Sequence, residues 1–185
     1  MSAVRLAARY AKSLIDLAIE KNALEQVHAD MLLFNETASH AGFKSMLKSP
    51  IINADKKMNV LEQLFKSKVS PITYAFYTLL VKKGREIYLS EISTAFIEQY
   101  NLYNHITKLK LTTAMPMDAK VVDSIVSQVK QKAKLEKVEL VTEVDDSLIG
   151  GFVVQYEDKL FDASISKRLQ ALRKEYSDNA YVKKF

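Results

Sequence analysis

The sequence predicts an α + α/β protein. An N-terminal six-helix bundle spans residues 1–104, and a small C-terminal α/β domain with the order β-α-β-β-α spans residues 105–185. Two observations carry this prediction. Apolar residues recur at three- and four-residue steps up to Asn104, which is the period of amphipathic helices. Over Ile106–Thr113 the period shortens to two, as a strand requires, so we place the domain boundary near residue 104.

The first helix, residues 4–20, has one narrow polar stripe and apolar or small side chains everywhere else. Its bulky flank consists of Leu6, Tyr10, Leu14 and Leu17. Its small flank consists of Val4, Ala8, Ala11, Ile15 and Ala18. A helix packed on one neighbour needs an apolar arc only a little over about 100° wide. We therefore expect this helix to be covered on two sides.

Capping residues predict where the other helices of the bundle begin. Asn22, with Glu25 three residues later, has the spacing of a capping box for the second helix. A short third helix lies around residues 43–47, and Asn53 or Asp55 caps the fourth. Ser70-Pro71 opens the fifth helix and Gly84 closes it. The sixth covers residues 85–104.

The fifth helix is apolar or aromatic in nearly every direction before its last turn. Such a helix lies either at the centre of a core or against a partner. A bundle of about 100 residues has much surface and little interior. We therefore expect part of this helix to be covered by another protein.

The C-terminal half predicts strands at residues 106–113, 138–144 and 152–156. A helix that begins near Pro116 and Asp118 makes a parallel crossover between the first two strands, and we expect the second and third strands to form a hairpin. Gly150-Gly151 predicts a structural turn with positive φ. The last helix, capped by Asp162 or Ser164, is expected to turn Ile165, Leu169 and Leu172 inward.

The composition argues against several kinds of chemistry. The 185 residues include no Cys, which rules out disulfides, thiolate metal sites and cysteine nucleophiles. The three histidines lie on different predicted elements without the spacing of metal ligands. The sequence contains neither a glycine-rich phosphate loop nor a G-x-S-x-G turn. We therefore predict no catalytic residue, no metal and no cofactor.

Two charged groups leave alternatives open. Asp145, Asp146, Glu157, Asp158 and Asp162 suit a cation or a metal-assisted hydrolase, but Asp is also favoured in turns and caps, which is the interpretation we prefer. Lys130, Lys132, Lys134 and Lys137 form a basic run beside the predicted sheet. They would suit an RNA-binding adaptor, although no aromatic residue is interleaved for base stacking.

Two stretches carry a specific resemblance. The chain opens with Ala8-Arg9-Tyr10-Ala11-Lys12. Near its end it has Asp145-x-Ser147-Leu148-Ile149-Gly150-Gly151-Phe152, followed by Asp162-x-Ser164 and by Leu169 and Leu172. With these motifs, and with Ser49-Pro50-Ile51 and Lys83-Gly84-Arg85 between them, the whole chain resembles the delta subunit family of F-type ATP synthase, the bacterial counterpart of the oligomycin-sensitivity-conferring protein.

The resemblance implies a non-catalytic subunit of the peripheral stalk, or stator. It implies that the N-terminal domain grips the N-terminal helices of alpha subunits on the catalytic head, and that the C-terminal domain binds the end of the b-subunit stalk. Rotation is then coupled to proton-driven ATP synthesis because the head cannot turn with the rotor. The long targeting extension of organellar members is not seen, so we expect a bacterial protein at the cytoplasmic face of the inner membrane.

In that family the groove between the first and fifth helices holds an alpha-subunit helix. Carried onto this sequence, the resemblance leads to a helix-in-groove hypothesis. One wall is Val4, Ala8, Ala11 and Ile15, and the other is Tyr74, Tyr77, Leu80 and Val81. The residues that contact b cannot be assigned from the sequence, although the last helix and its Lys183-Lys184-Phe185 tail are candidates.

Overall fold

A computed structural model describes residues 3–133 and 135–178, and it divides into two compact units on either side of the Asn104–His105 bond. The helical unit contains α1 (Ala3–Glu20), α2 (Leu24–Ala38), α3 (Ala41–Lys48), α4 (Ala54–Phe65), α5 (Pro71–Lys82) and α6 (Leu89–Tyr103). The α/β unit contains β1 (Ile106–Thr113), α7 (Ala119–Ala133), β2 (Lys137–Val144), β3 (Phe152–Tyr156), β4 (Lys159–Asp162) and α8 (Ile165–Asp178). Among the described helices, none has both the length and the apolarity needed to cross a bilayer. These elements confirm the predicted fold class.

Asn22 ends α1 instead of capping α2, so the predicted capping box is wrong. Its backbone is left-handed, with φ of 51°. The Ala23 amide donates to the Ala18 carbonyl at 2.9 Å and the Asn22 amide donates to the Ile19 carbonyl at 3.0 Å. This is the Schellman pattern, which Asn tolerates because its short side chain adopts positive φ at little cost.

Both ends of α5 lie where the sequence analysis predicted them. The Ser70 side chain accepts from the Thr73 amide, with Pro71 in the first turn, and Gly84 closes the helix at φ of 62°. The sequence did not predict the role of Asp30 on α2. Its carboxylate accepts from the Ser70 amide at 2.8 Å and from the Thr73 hydroxyl at 2.7 Å. This buried carboxylate ties α2 to the start of α5.

The core of the helical unit is built around α6 and an aromatic cluster. Leu89, Ile92 and Phe96 of α6 are buried. On the far side of α2, the rings of Phe34, Phe65 and Tyr77 meet with centroids 5.3–5.7 Å apart. Aromatic pairs at these distances add to the free energy gained by burial. The cluster holds α2, α4 and α5 together.

A buried ion pair lies where α3, α4 and the turn before α6 meet. The Lys57 ammonium donates to Glu86 Oε1 at 2.9 Å and to the Leu47 carbonyl at 2.8 Å. Lys57 is 2% exposed and Glu86 is 8% exposed. This pair could not be predicted from the sequence, because Lys57 lies among exposed charges at the start of α4 and its partner is distant in sequence.

The sheet has the strand order β2-β1-β3-β4. β1 and β2 are parallel, as predicted, with α7 as the crossover. The predicted hairpin between β2 and β3 is wrong, because β3 pairs antiparallel with β1, and the hairpin is β3–β4. The Asp145 amide donates to the Thr113 carbonyl at 2.8 Å, so the chain leaving β2 crosses the end of β1 before β3 begins.

The inward orientation predicted for α8 is also wrong. Ile165, Leu169 and Leu172 are 44–49% exposed, and α8 packs on the Asp146–Leu148 turn. The sheet face that α7 leaves open carries Lys108, Lys110, Glu139 and Glu143, with Val141 and Leu160 between them. Packing α8 on that face would desolvate these charges, which is costly, and the other face already packs on α7.

Replacing Lys57 by Met should lower the free energy of unfolding by about 3–5 kcal/mol, because it leaves the Glu86 carboxylate buried without its cation. The double variant K57M/E86L should recover most of this loss, since it removes both charges together. Urea unfolding followed by circular dichroism measures both. A single variant within about 1 kcal/mol of wild type would show that the pair is solvated in solution.

Candidate docking surfaces

Five of the eight residues predicted to line a groove lie in the core of the helical unit. Ala11, Ile15, Tyr77, Leu80 and Val81 are buried. The other three are accessible: Val4 is 76% exposed, and Ala8 and Tyr74 are half-buried. A docked helix contacts only accessible side chains. In a groove at this place, the five buried residues would therefore support the accessible ones and would not contact the partner.

Two contacts fix the rotation of α1 in the bundle. Gln99 on α6 donates from Nε2 to the Ala8 carbonyl at 3.0 Å, which places the small flank of α1 beside α6. On the opposite side, the rings of Tyr10 and Phe76 meet edge to face with centroids 6.4 Å apart. The bulky flank of α1 therefore faces α5.

Two accessible apolar edges meet at the junction of α1 and α5, and we call them together the α1–α5 face. It consists of Leu6, Tyr10, Leu17, Ile72, Phe76 and Leu79. Leu17 is 41% exposed and Leu79 is 46% exposed, and the remaining four are half-buried. On a helix these positions are three, four or seven residues apart, so each set forms one edge of its helix. The two edges meet at the Tyr10–Phe76 contact.

A hydrogen bond and a ring contact join α6 to α2. The Tyr100 hydroxyl donates to Glu25 Oε2 at 2.7 Å, and its ring stacks on His28 with centroids 3.6 Å apart. Burial, together with the bond to Glu25, raises the pKa of Tyr100 to about 12. The phenol therefore remains a donor at neutral pH. The sequence had assigned Glu25 to a capping box, and only the fold brings it to Tyr100.

Gly150 and Gly151 lie just before β3, where the segment between β4 and α8 packs directly against them. Gly151 has φ of 79°. The Ala163 amide donates to the Phe152 carbonyl and the Ile165 amide donates to the Gly150 carbonyl, both at 2.9 Å. A Cβ added to Gly151 would lie 2.3 Å from the Ala163 carbonyl oxygen. The two glycines thus set the direction in which α8 leaves the sheet.

The acidic group contributes caps to the loops of the α/β unit. Asp145 accepts from the Ser147 amide at 3.0 Å, and Asp162 accepts from the Ser164 amide at 2.9 Å. Hydrogen bonds from these serines hold the pKa of each carboxyl below its usual range. Within residues 3–133 and 135–178, no three acidic or histidine side chains are grouped so as to hold a metal ion.

The open sheet face does not suit RNA. Phe152 and Tyr156 pair with Thr113 and Leu109, so their rings share the face that packs on α7. The opposite face carries lysines and glutamates, with an ion pair between Lys110 and Glu143 at 2.6 Å. A single-strand site needs accessible aromatics and an excess of cations. Of the predicted basic run, Lys130 and Lys132 lie in the last turn of α7, and Lys134 is outside the described residues.

Comparison with known proteins identifies the family. Residues 6–175 match the family described as ATP synthase delta (OSCP) subunit. The chain belongs to that family. It is 35% identical over 185 residues to ATP synthase subunit delta of Christiangramia forsetii, with 100% of each chain covered. The subunit delta of Cytophaga hutchinsonii is 35% identical, over 96% of this chain and 97% of its own.

A solved structure supports the same assignment for this delta (OSCP) family member. A chain in the Toxoplasma gondii mitochondrial ATP synthase hexamer has a TM-score of 0.70 and 26% identity, covering 93% of this chain and 97% of that chain. The protein is a non-catalytic peripheral stalk (stator) subunit of F-type ATP synthase. The RNA-binding alternative finds no support in the sheet or in these relatives.

Gly151→Ala should destabilise the α/β unit more than Gly84→Ala destabilises the helical unit. Both positions have positive φ, which costs Ala about 1 kcal/mol, but an added Cβ at Gly84 meets nothing within 4 Å. The contact with Ala163 at Gly151 adds a steric cost of about 1–3 kcal/mol. Thermal unfolding of the two variants measures the difference. Equal losses would show that the β4–α8 link does not press on Gly151 in solution.

Proposed function

We propose that this subunit joins the catalytic head to the peripheral stalk. The helical unit binds the N-terminal helices of alpha subunits, and the α/β unit binds the C-terminal region of the b subunit. The observation that carries the proposal is the α1–α5 face, an apolar surface left open on a family member without chemistry of its own. Exposed apolar patches of this kind are typical of protein interfaces.

The head contact is a helix lying along the α1–α5 face. One wall is Leu6, Tyr10 and Leu17, and the other is Ile72, Phe76 and Leu79. A helix inserts apolar anchors at three- and four-residue spacing into such a face. The aromatic rings bring large contact area with little loss of rotamer freedom, which favours tight binding.

These walls differ from the ones in the helix-in-groove hypothesis, which used another line of residues on α1. Val4, Ala8, Ala11 and Ile15 form one line on α1, but Gln99 occupies that side and joins it to α6. Tyr74 remains accessible on α5 and can contribute from the opposite edge. Tyr77, Leu80 and Val81 fix the position of α5 and do not reach a partner.

A stator must hold the head against the torque of the rotor throughout each turn. The contact should therefore have a Kd in the nanomolar range or below, about −12 kcal/mol. The cytoplasmic face of the bacterial inner membrane is the location that we propose, with the subunit held there through the complex. Its bacterial relatives and its place in the ATP synthase support this location.

Leu17→Asp should weaken binding of an alpha-subunit N-terminal peptide by about 30-fold or more, because it places a charge in the apolar wall. Val4→Asp should change the Kd by less than about threefold, since Val4 lies on the α6 side of α1. Both side chains are exposed in the free protein, so both variants should fold. Titration calorimetry measures the affinities, and melting temperatures check the fold.

The same pair of variants separates the two assignments of the α1 wall. Loss of affinity in Val4→Asp but not in Leu17→Asp would restore the stripe suggested by the sequence. Wild-type affinity in both would exclude α1 as a wall of the head contact. Failure of the wild-type chain to bind the peptide would overturn the proposed head attachment altogether.

A further inference from the structure

The apolar residues of α8 have the spacing of a coiled-coil seam. Ile165, Leu169, Leu172 and Tyr176 follow one another at steps of four, three and four residues, which are alternating d and a positions of two heptads. All four are exposed, by 44–79%. The line spans about 17 Å at 1.5 Å per residue. We call these four residues the α8 seam.

The charges beside the seam indicate the character of its partner. With Leu169 at an a position, Arg168 and Glu175 fall at g and Arg173 falls at e, so two of the three charges beside the seam are cationic. In coiled coils these positions pair with charges of opposite sign on the facing helix. A complementary helix would therefore carry Glu or Asp at the e and g positions that face Arg168 and Arg173.

Ile149 adds a second observation at the same place. It borders the same depression as Leu169, Leu172 and Tyr176. Its backbone has φ of 64° and ψ of −34°, an unfavourable conformation for a β-branched residue, yet its side chain is 62% exposed. An unfavourable backbone conformation that does not serve to bury the side chain within its own chain is common at binding sites.

We propose that the α8 seam, with Ile149 at its edge, is a docking surface for an amphipathic helix with acidic e and g positions, which packs on α8 as a two-stranded coiled coil. The inference rests on the proposed stalk attachment and assigns it to residues. A helix suits the surface better than a lipid bilayer does, because a strict a/d seam is narrower than the apolar face of membrane-bound helices.

The test uses the full chain and the soluble C-terminal region of the b subunit from the same organism. Leu169→Asp should weaken binding by about 30-fold or more. Ala171→Asp adds the same charge to an exposed position on the other side of α8 and should change the Kd by less than about threefold. Circular dichroism confirms that both variants keep their helix content.

Charge reversal and Ile149 provide two further readouts. The variant R168E/R173E should bind more weakly, and exchanging acidic e and g residues of the b region for Lys should restore its affinity. Ile149→Gly should melt no lower than wild type, because Gly adopts this backbone freely, and should bind about tenfold more weakly.

The outcomes separate this inference from the proposed attachment. If the wild-type chain does not bind the b region, the stalk attachment fails and this inference fails with it. If the wild type binds and Leu169→Asp binds equally well, b docks elsewhere and only this inference is overturned. Binding of the wild type to anionic phosphatidylserine vesicles that is lost in Leu169→Asp, with no effect on b binding, would also overturn it.

Discussion

Each unit of this chain has more apolar helix surface than its own elements can cover, and the attachments that we propose depend on that constraint. A unit of about 80–100 residues buries a limited share of its surface. In the helical unit, α6 covers the small flank of α1 and leaves the bulky flank beside α5 open. In the α/β unit, the charged sheet face does not cover α8. Both surfaces gain free energy only when a partner covers them.

The polar contacts inside the helical unit keep the open face in a fixed shape. Asp30 joins α2 to α5, Lys57 joins α4 to the turn before α6, and Tyr100 joins α6 to α2. The first two contacts are buried and the third is partly buried, and each links elements that are distant in sequence, so moving one helix would break a hydrogen bond. A bundle held in this way presents the α1–α5 face in one shape, which favours tight docking of a helix from the head.

The sequence predicted the fold class, the parallel crossover and both ends of α5, because these features depend on local periodicity and capping. It misjudged features that depend on long-range contacts. Periodicity revealed that α1 has two apolar flanks, but only Gln99 and Tyr10 show which flank faces α5. Likewise, the period of α8 marks an apolar line, and only the folded structure shows that the line stays exposed. The Lys57–Glu86 pair had no local signal at all.

A chain that joins the head to the stalk must hold both partners at once. Sedimentation velocity of the full chain with an alpha-subunit N-terminal peptide and the soluble b region should give a complex with one copy of each. The Kd for either partner should change by less than about twofold when the other is bound, since the two surfaces lie on separate units. Competition between the peptide and the b region for one chain would show that the two proposed surfaces are not separate and that the chain does not bridge head and stalk.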